Sequence, residues 1–300
     1  MSGTDLPVEA GPDVPPVYRE AVRRAEQAAA AANVEVRSVY DREELATLSA
    51  ILTEIWGADI PPVHESLLRA LAKAGNYVSG AYADGNLAGG CVGFFGAPRD
   101  RMLHSHIAGV RAEQHRRGIG YALKCHQRGW ALEHGVGTVS WTFDPLVARN
   151  ASFNLAKLGA KARDYLPNFY GSMNDGINGV TDSDRLLITW DLASSLQDPP
   201  RPEPMAATPA AAHVLTVGQR GLPERHAPPA DAALLGVGVP TDIEALRRDD
   251  PETAQQWRTA VRSIMGSLFS EGGAVRGFDV RGWYVVATGD NSASGKEGAQ

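Results

Sequence analysis

The chain has 300 residues, of which 43% are hydrophobic and 21% charged, with a formal net charge of -6. That is enough apolar material for one large packed domain or two small ones, and the acidic balance leaves no global footprint for nucleic acid. Two cysteines, Cys91 and Cys125, argue against a disulfide framework or a cysteine-borne metal cluster; with no apolar run long enough to span a membrane and no export segment, the expectation is a cytoplasmic monomer or homodimer without a membrane partner.

Residues 1–15 read as disordered, and an alanine-rich accessory helix follows over 16–33. A strand is expected over 34–39. Asp41 is placed to cap a helix over 42–56 whose Leu45, Leu48, Ile51, Leu52 and Ile55 share one face. A second helix, 63–74, has Leu67, Leu68 and Leu71 as its expected buried side. Strands over 77–83 and 86–95 are joined by Asp84-Gly85, a strong two-residue hairpin turn. Cys91 and Cys125 fall in apolar patterns and read as core.

The stretch His104 to Lys124, HSHIAGVRAEQHRRGIGYALK, carries the chemistry. Its first part alternates as a strand over 103–110. A polar connection then leads to Gly118-Ile119-Gly120, and helical spacing of apolar residues takes over as far as His134, where Gly135-Val136-Gly137 closes the helix. Glycines at the mouth of a helix let the backbone approach a ligand. The first turn leaves N–H groups unpaired at the positive end of the helix dipole, which favours phosphate or pyrophosphate.

A strand over 138–143, a loop over 144–149, a short helix over 150–158 and strands over 160–166 and 185–192 follow. Between these last strands lies a long loop, 168–184, rich in Gly, Asn and Asp; loops of that length inside a domain are commonly functional. Residues 196–230 read as a linker with a short strand at 214–217. Residues 231–288 form a small extension: a strand at 233–239, Thr241 as N-cap, a helix over 251–269 and a hairpin about Arg281-Gly282. One helix face there is more apolar than its own hairpin can cover, so the extension is expected to dock on the preceding domain. Residues 289–300 read as disordered.

The run His115-Arg116-Arg117-Gly118-Ile119-Gly120 resembles motif A of the GCN5-related N-acetyltransferase (GNAT) superfamily, with His115 where Gln or Arg is usual. The order of elements over 34–195 is also the GNAT order. The resemblance implies an α/β (α+β) fold, a mixed and mostly antiparallel sheet flanked by helices, with the 231–288 extension docked on it. It implies acetyl-CoA or another acyl-CoA as co-substrate, its pyrophosphate on the amides of Arg116, Arg117, Gly118, Ile119 and Gly120. Gly109, Val110 and Arg111 would lie against the thioester and pantetheine, and Asn150 and Asn154 would bond the pantetheine arm. Asn150 can equally be a helix N-cap. The tyrosine that commonly serves as acid in this family is Leu155 here, which leaves Tyr165, Tyr170 or water.

His104 and His106 share a strand face, and His106 is a candidate base for an ammonium acceptor. A zinc site built on that pair lacks a third ligand of suitable spacing, so no metal is expected. Asp175, Asp184 and Arg185 are candidates for binding the acceptor. The expected function is acyl-CoA-dependent transfer of an acetyl or other small acyl group to the amine of a small-molecule or amino-acid-like acceptor; the alternative is a non-catalytic GNAT-like module that binds an acyl-CoA in regulation or scaffolding. A Rossmann enzyme is disfavoured because the Gly-x-Gly-x-x-Gly spacing is missing.

Overall fold

A computed structural model describes residues 3–7, 15–175, 179–194, 211–229 and 231–289. The chain is α/β and forms two compact units, one of Met1–Trp141, Asn174–Ile177 and Asp191–Ser195, the other of Thr142–Met173, Asn178–Trp190 and Leu196–Gln300.

The first unit runs β1 (Gly3–Thr4), α1 (Pro16–Ala32), β2 (Glu35–Ser38), α2 (Arg42–Trp56), α3 (Glu65–Lys73), β3 (Val78–Ala83), β4 (Asn86–Phe95), β5 (Met102–Val110), α4 (Ile119–Glu133) and β6 (Thr138–Phe143). Its strands lie in chain order, β1 to β6. β2 to β5 are antiparallel neighbours, whereas β1 joins β2, and β6 joins β5, in parallel. The local signals explain why these elements start and stop where they do. Asp41 accepts the amides of Glu43 and Glu44 at 2.8 and 3.1 Å and so caps α2. Asp84 and Gly85 both take positive φ, 49° and 79°, and turn β3 into β4.

One sheet face is covered by α2 and α3, where Leu45, Leu48, Ile51, Leu52 and Leu68 pack with Val78, Val92 and Ile107. Tyr77, Ser79, Cys91 and Ser105 point the other way, toward α4, along which α1 packs; Ser105 and Ile107 are two apart yet face opposite sides because the β4–β5 register shifts between them. Two expectations change here. Residues 3–7 are ordered: β1 pairs with β2, and Asp5 accepts from the Ser38 amide at 2.8 Å and bonds His126 at 2.7 Å. On α3 the buried residues are Leu68 and Ala72; Leu67 is exposed, because a nine-residue helix turns too narrow a face inward to bury both neighbours.

In the second unit, α5 (Ala148–Ala151) runs into one π-helical turn, Ser152–Lys157, and is followed by β7 (Lys161–Leu166), β8 (Ser172–Asp175), β9 (Gly179–Asp182) and β10 (Arg185–Asp191). β7 and β10 pair antiparallel. Two short strands, β8 and β9, thus occupy the segment expected to be a plain loop. Next come β11 (Ala211–Val217), β12 (Pro223–Arg225), β13 (Leu234–Gly238), α6 (Ile243–Asp249), α7 (Pro251–Ser270), β14 (Ala274–Asp279) and β15 (Trp283–Ala287), with the five strands in the order β12-β11-β13-β15-β14. The expected linker is therefore structured over 211–229; its part from 196 to 210 and, apart from Gly289, the expected 289–300 tail lie outside the described residues. Asp242, not Thr241, caps α6 by accepting the Ala245 amide.

The 231–288 extension shares its unit with residues 142–173 and 178–190 and is bonded to residues among them. Arg258 of α7 makes a two-point contact to Asp144 at 2.9 and 2.7 Å, and Arg247 reaches the same carboxylate at 2.5 Å. Arg262, one turn further along α7, holds Asp184 at 2.9 and 2.6 Å and Asp182 at 2.8 Å. Tyr284 donates to the carbonyl of Pro145 at 2.7 Å. The apolar side of α7 buries Trp257, Val261 and Met265.

Candidate active site

β5 and β6 are ladder partners over only three residue pairs, Met102↔Thr138, Leu103↔Val139 and His104↔Ser140. β5 continues to Val110, so from Ser105 onward its edge toward β6 has no strand partner among the described residues. An unpaired edge presents backbone donors and acceptors to whatever lies beside it. The opposite edge is fully engaged by β4 through Val110.

The end of β5 is held from three sides. The Arg111 amide donates to Ala88 O at 2.9 Å, and the Arg111 side chain pairs with Glu54 and Glu113. His115 lies with Nε2 2.9 Å from the carbonyl oxygen of Val110. Gly109 has no room for a side chain, since an added Cβ would stand 2.6 Å from the Trp56 ring and 3.1 Å from Ile55. Packing from the end of α2 thus fixes Gly109.

The loop into α4 is different. Arg116 and Gly118 take positive φ, 64° and 88°, and α4 begins with Gly118 at its N-cap and no side-chain cap. The first amides to find backbone acceptors are those of Tyr121 and Ala122, which both reach Gly118 O. Among the described residues, the five amides from Arg116 to Gly120 have none. Arg116, Arg117 and Gly118 are exposed. Amides without a well-formed backbone acceptor, the positive end of a fifteen-residue helix and two exposed arginines are groups that would suit an anion.

Gly120 is the informative residue. Its φ is not positive, and an added Cβ would meet only Val110 Cγ2 at 4.0 Å. A helical glycine costs about 0.5–1 kcal/mol relative to alanine, so a fold that leaves this space open gains nothing from glycine here. A ligand pressed against the first turn of α4 would need it.

Phe94 of β4 forms an aromatic trio with His104 and His106 of β5, whose ring centroids lie 5.1 and 5.9 Å from its own. His104 Nδ1 is 3.4 Å from Ser140 Oγ, and His106 is exposed. Burial lowers the basicity of His104, helped by the neighbouring His106 and Lys124; His106 reaches solvent, but Phe94 and His104 beside its ring partly desolvate it, and that alone lowers its basicity. The shifts bias both imidazoles toward the neutral form, the one able to take a proton.

In the second unit, Asn150 is the third residue of α5, behind Val147 as N-cap, so its capping role falls away; its amide bonds Val147 O. Asn154 is buried in the π-helical turn, a feature frequent at functional sites, and Leu155 beside it is core. Tyr165 is buried and donates to Asp184 at 2.6 Å; burial first, then the Asp184 charge, push its phenol far above the usual range. Asp184 would be pushed up by burial, but Arg262, Tyr165 and the Asn168 amide together hold its carboxyl below the ordinary value. These two residues form a closed structural pair, which commits the Tyr165 proton and the Asp184 charge to the fold. Arg185 is buried, donates to Asp184 O at 3.0 Å and stands 5.3 Å from the ring of Tyr170. The Tyr170 side chain is 44% exposed, with its hydroxyl 3.3 Å from Thr142 Oγ1. Asp175 has its backbone in β8, and its side chain lies outside the described set. Among the described residues, no group of three or more His, Cys, Asp or Glu side chains is arranged to hold a metal ion, and no helix is long and apolar enough to cross a membrane.

Sequence reasoning missed Lys124, which is 5% exposed inside α4. Its signal was there: Lys124, Gln127 and Arg128 recur at helical spacing on a helix whose apolar residues leave no separate polar face.

No family model matches the sequence, and no curated protein matches it. Among solved structures, the chain is similar to an N-acetyltransferase from Staphylococcus aureus, at 19% identity and a TM-score of 0.43, over 53% of this chain and 99% of that one. It is similar to yncA from Salmonella typhimurium, solved with its cofactor acetyl-CoA, at 15% identity and a TM-score of 0.43, over 53% and 94%. It is also similar to the PaiA N-acetyltransferase from Thermoplasma acidophilum in complex with coenzyme A, at 16% identity and a TM-score of 0.41, over 53% and 98%. A further similar structure, at 16% identity and a TM-score of 0.42 over 53% of this chain and 99% of that one, is a putative acetyltransferase of the GNAT family from Desulfovibrio desulfuricans.

Proposed function

We propose that this chain is an acyl-CoA-dependent N-acyltransferase of the GNAT superfamily, moving an acetyl or other small acyl group to the amine of a small-molecule or amino-acid-like acceptor. The observation that carries the reading is Gly120, a helical glycine with open space around it at the head of an uncapped helix, beside a strand edge left without a partner. The residues present fit the co-substrate. The amides of Arg116 to Gly120 would hold its pyrophosphate, Arg116 and Arg117 would add charge, and the β5 edge from Ser105 to Arg111 would hold the pantetheine arm and the thioester. Bound there, an acyl-CoA supplies an activated acyl group.

What the chain itself adds is positioning and a proton acceptor. Holding donor and acceptor in register supplies much of the acceleration in a bimolecular transfer. His106, exposed and biased toward the neutral form, would take the proton of an ammonium acceptor, with His104 behind it. With Leu155 in the core and the Tyr165 hydroxyl committed to Asp184, the proton for a departing thiolate would come from water. The same facts favour a second reading, a module that binds an acyl-CoA without turning it over.

Thiol release separates the two. Acetyl-CoA incubated with the protein and a panel of small amines should give amine-dependent thiol; tight binding with no release across the panel would establish the non-catalytic reading instead.

A further inference from the structure

We propose that Lys124 is the positioning residue that keeps β5 and β6 apart, its ammonium seated where the two strands separate and tying Ser105 of one to Trp141 of the other. This rests on the reading of the freed β5 edge as the seat of the acyl-CoA arm.

The ladder between the strands ends at His104↔Ser140. The next residue on β5 is Ser105 and the next on β6 is Trp141. Where a parallel ladder would carry on, both side chains turn to the same group on α4. Lys124 Nζ is 2.8 Å from Ser105 Oγ and stands 4.0 Å from the Trp141 ring centroid. Its third contact is Gln127 Oε1 at 3.0 Å, one turn along the same helix, and Gln127 in turn donates to Cys91 Sγ on β4 at 3.3 Å. An ammonium has three donors, and these are met by a hydroxyl, an amide oxygen and an aromatic face.

A buried lysine is an expensive choice for filling space. Burial lowers the basicity of Lys124, offset only in part by the Cys91 thiol and by no carboxylate among the described residues. A leucine or methionine would fill the same volume without desolvating a charge, and replacing buried ionic groups by apolar ones is often neutral or stabilising. What an apolar side chain lacks is direction: it would not draw the Ser105 hydroxyl and the Trp141 ring to one point. Lys124 also sits one helical turn beyond Gly120, so a single helix places the proposed pyrophosphate site at one end of the freed edge and the wedge at the other.

The test combines Lys124→Met, Trp141→Leu and Trp141→Phe. If the wedge is real, Lys124→Met and Trp141→Leu each weaken coenzyme A binding by calorimetry about tenfold, the scale of one lost charge-assisted contact, and the double variant is no worse than either single one. Trp141→Phe, which keeps a ring face, retains near-native affinity. Amide exchange read without any ligand gives the independent arm. Residues 106–110 should gain protection in Lys124→Met as the strands close, while the rest of the sheet is unchanged. Native exchange at these amides together with native coenzyme A affinity in Lys124→Met would overturn the proposal. If the unaltered protein binds no coenzyme A, the functional reading fails, and the exchange arm still decides whether Lys124 holds the strands apart.

Discussion

His115 Nε2 lies 2.9 Å from the carbonyl oxygen of Val110, so the first residue of the glycine loop is tied to the last residue of β5. The donor is the Nε2–H, whether the ring is neutral in that tautomer or protonated. Motif A usually has Gln or Arg at this place, both of which carry an N–H that could reach the same carbonyl. The expected outcome for His115→Ala is a loss of coenzyme A affinity of a few fold, about one neutral hydrogen bond, with His115→Gln restoring most of it. Calorimetry on the three proteins checks this.

Gly120→Ala should separate stability from binding. Alanine at a position with acceptable backbone geometry and open space stabilises by about 0.4–1 kcal/mol, so Tm should rise by roughly 1–4 °C while coenzyme A affinity falls. A gain in Tm with unchanged affinity would mean that no ligand approaches the first turn of α4.

The second unit should be acid-sensitive through Asp144. Burial pushes this carboxyl up, but Arg258 and Arg247 outweigh it and leave the folded value below the usual one. A depressed carboxyl contributes stability above its unfolded pKa of about 3.9 and loses that contribution as pH falls through the folded value. Asp144→Asn should therefore lower stability at neutral pH and flatten its fall below about pH 4, with Asp184 supplying what slope remains. Asp144→Ala, which strands two arginines, should cost about 3–5 kcal/mol in urea unfolding.

Much of the first unit was legible because its signals are local. Asp41 caps within three residues, Asp84-Gly85 makes its turn alone, and the His115–Gly120 run carries its glycines in sequence. The parts that escaped depend on partners far along the chain. Asp144 read as a turn residue because Arg258, 114 positions later, could not be foreseen. Tyr165 read as a possible acid for the same reason: its partner Asp184 and the Arg262 that fixes Asp184 come from separate segments. β1 was hidden because two residues carry no periodicity; of β11 only 214–217 was legible, and β12 not at all, because proline- and alanine-rich surroundings mask short strands. The glycine turn into α4 was legible, but not the parting of β5 from β6 or Lys124 between them, since register is a tertiary property.

If His106 is the base, kcat/KM should fall on the acid side with an apparent pKa below the ordinary histidine value of about 6.5, because burial lowers its basicity. His106→Asn should lower kcat by about 10² or more while leaving coenzyme A affinity unchanged. A pH profile whose acid limb is the same in His106→Asn would move the base elsewhere.

The central claim is that the amides from Arg116 to Gly120 hold the pyrophosphate of an acyl-CoA. The most direct measurement is an amide-resolved NMR titration with coenzyme A, read in the unaltered protein and in Gly118→Asp, which brings a carboxylate into the cradle. The account predicts saturable shifts centred on residues 116–120 and along 105–111, lost in Gly118→Asp while the remaining spectrum is retained. Saturable binding that leaves the 116–120 amides unmoved, or that persists unchanged in Gly118→Asp, would contradict it.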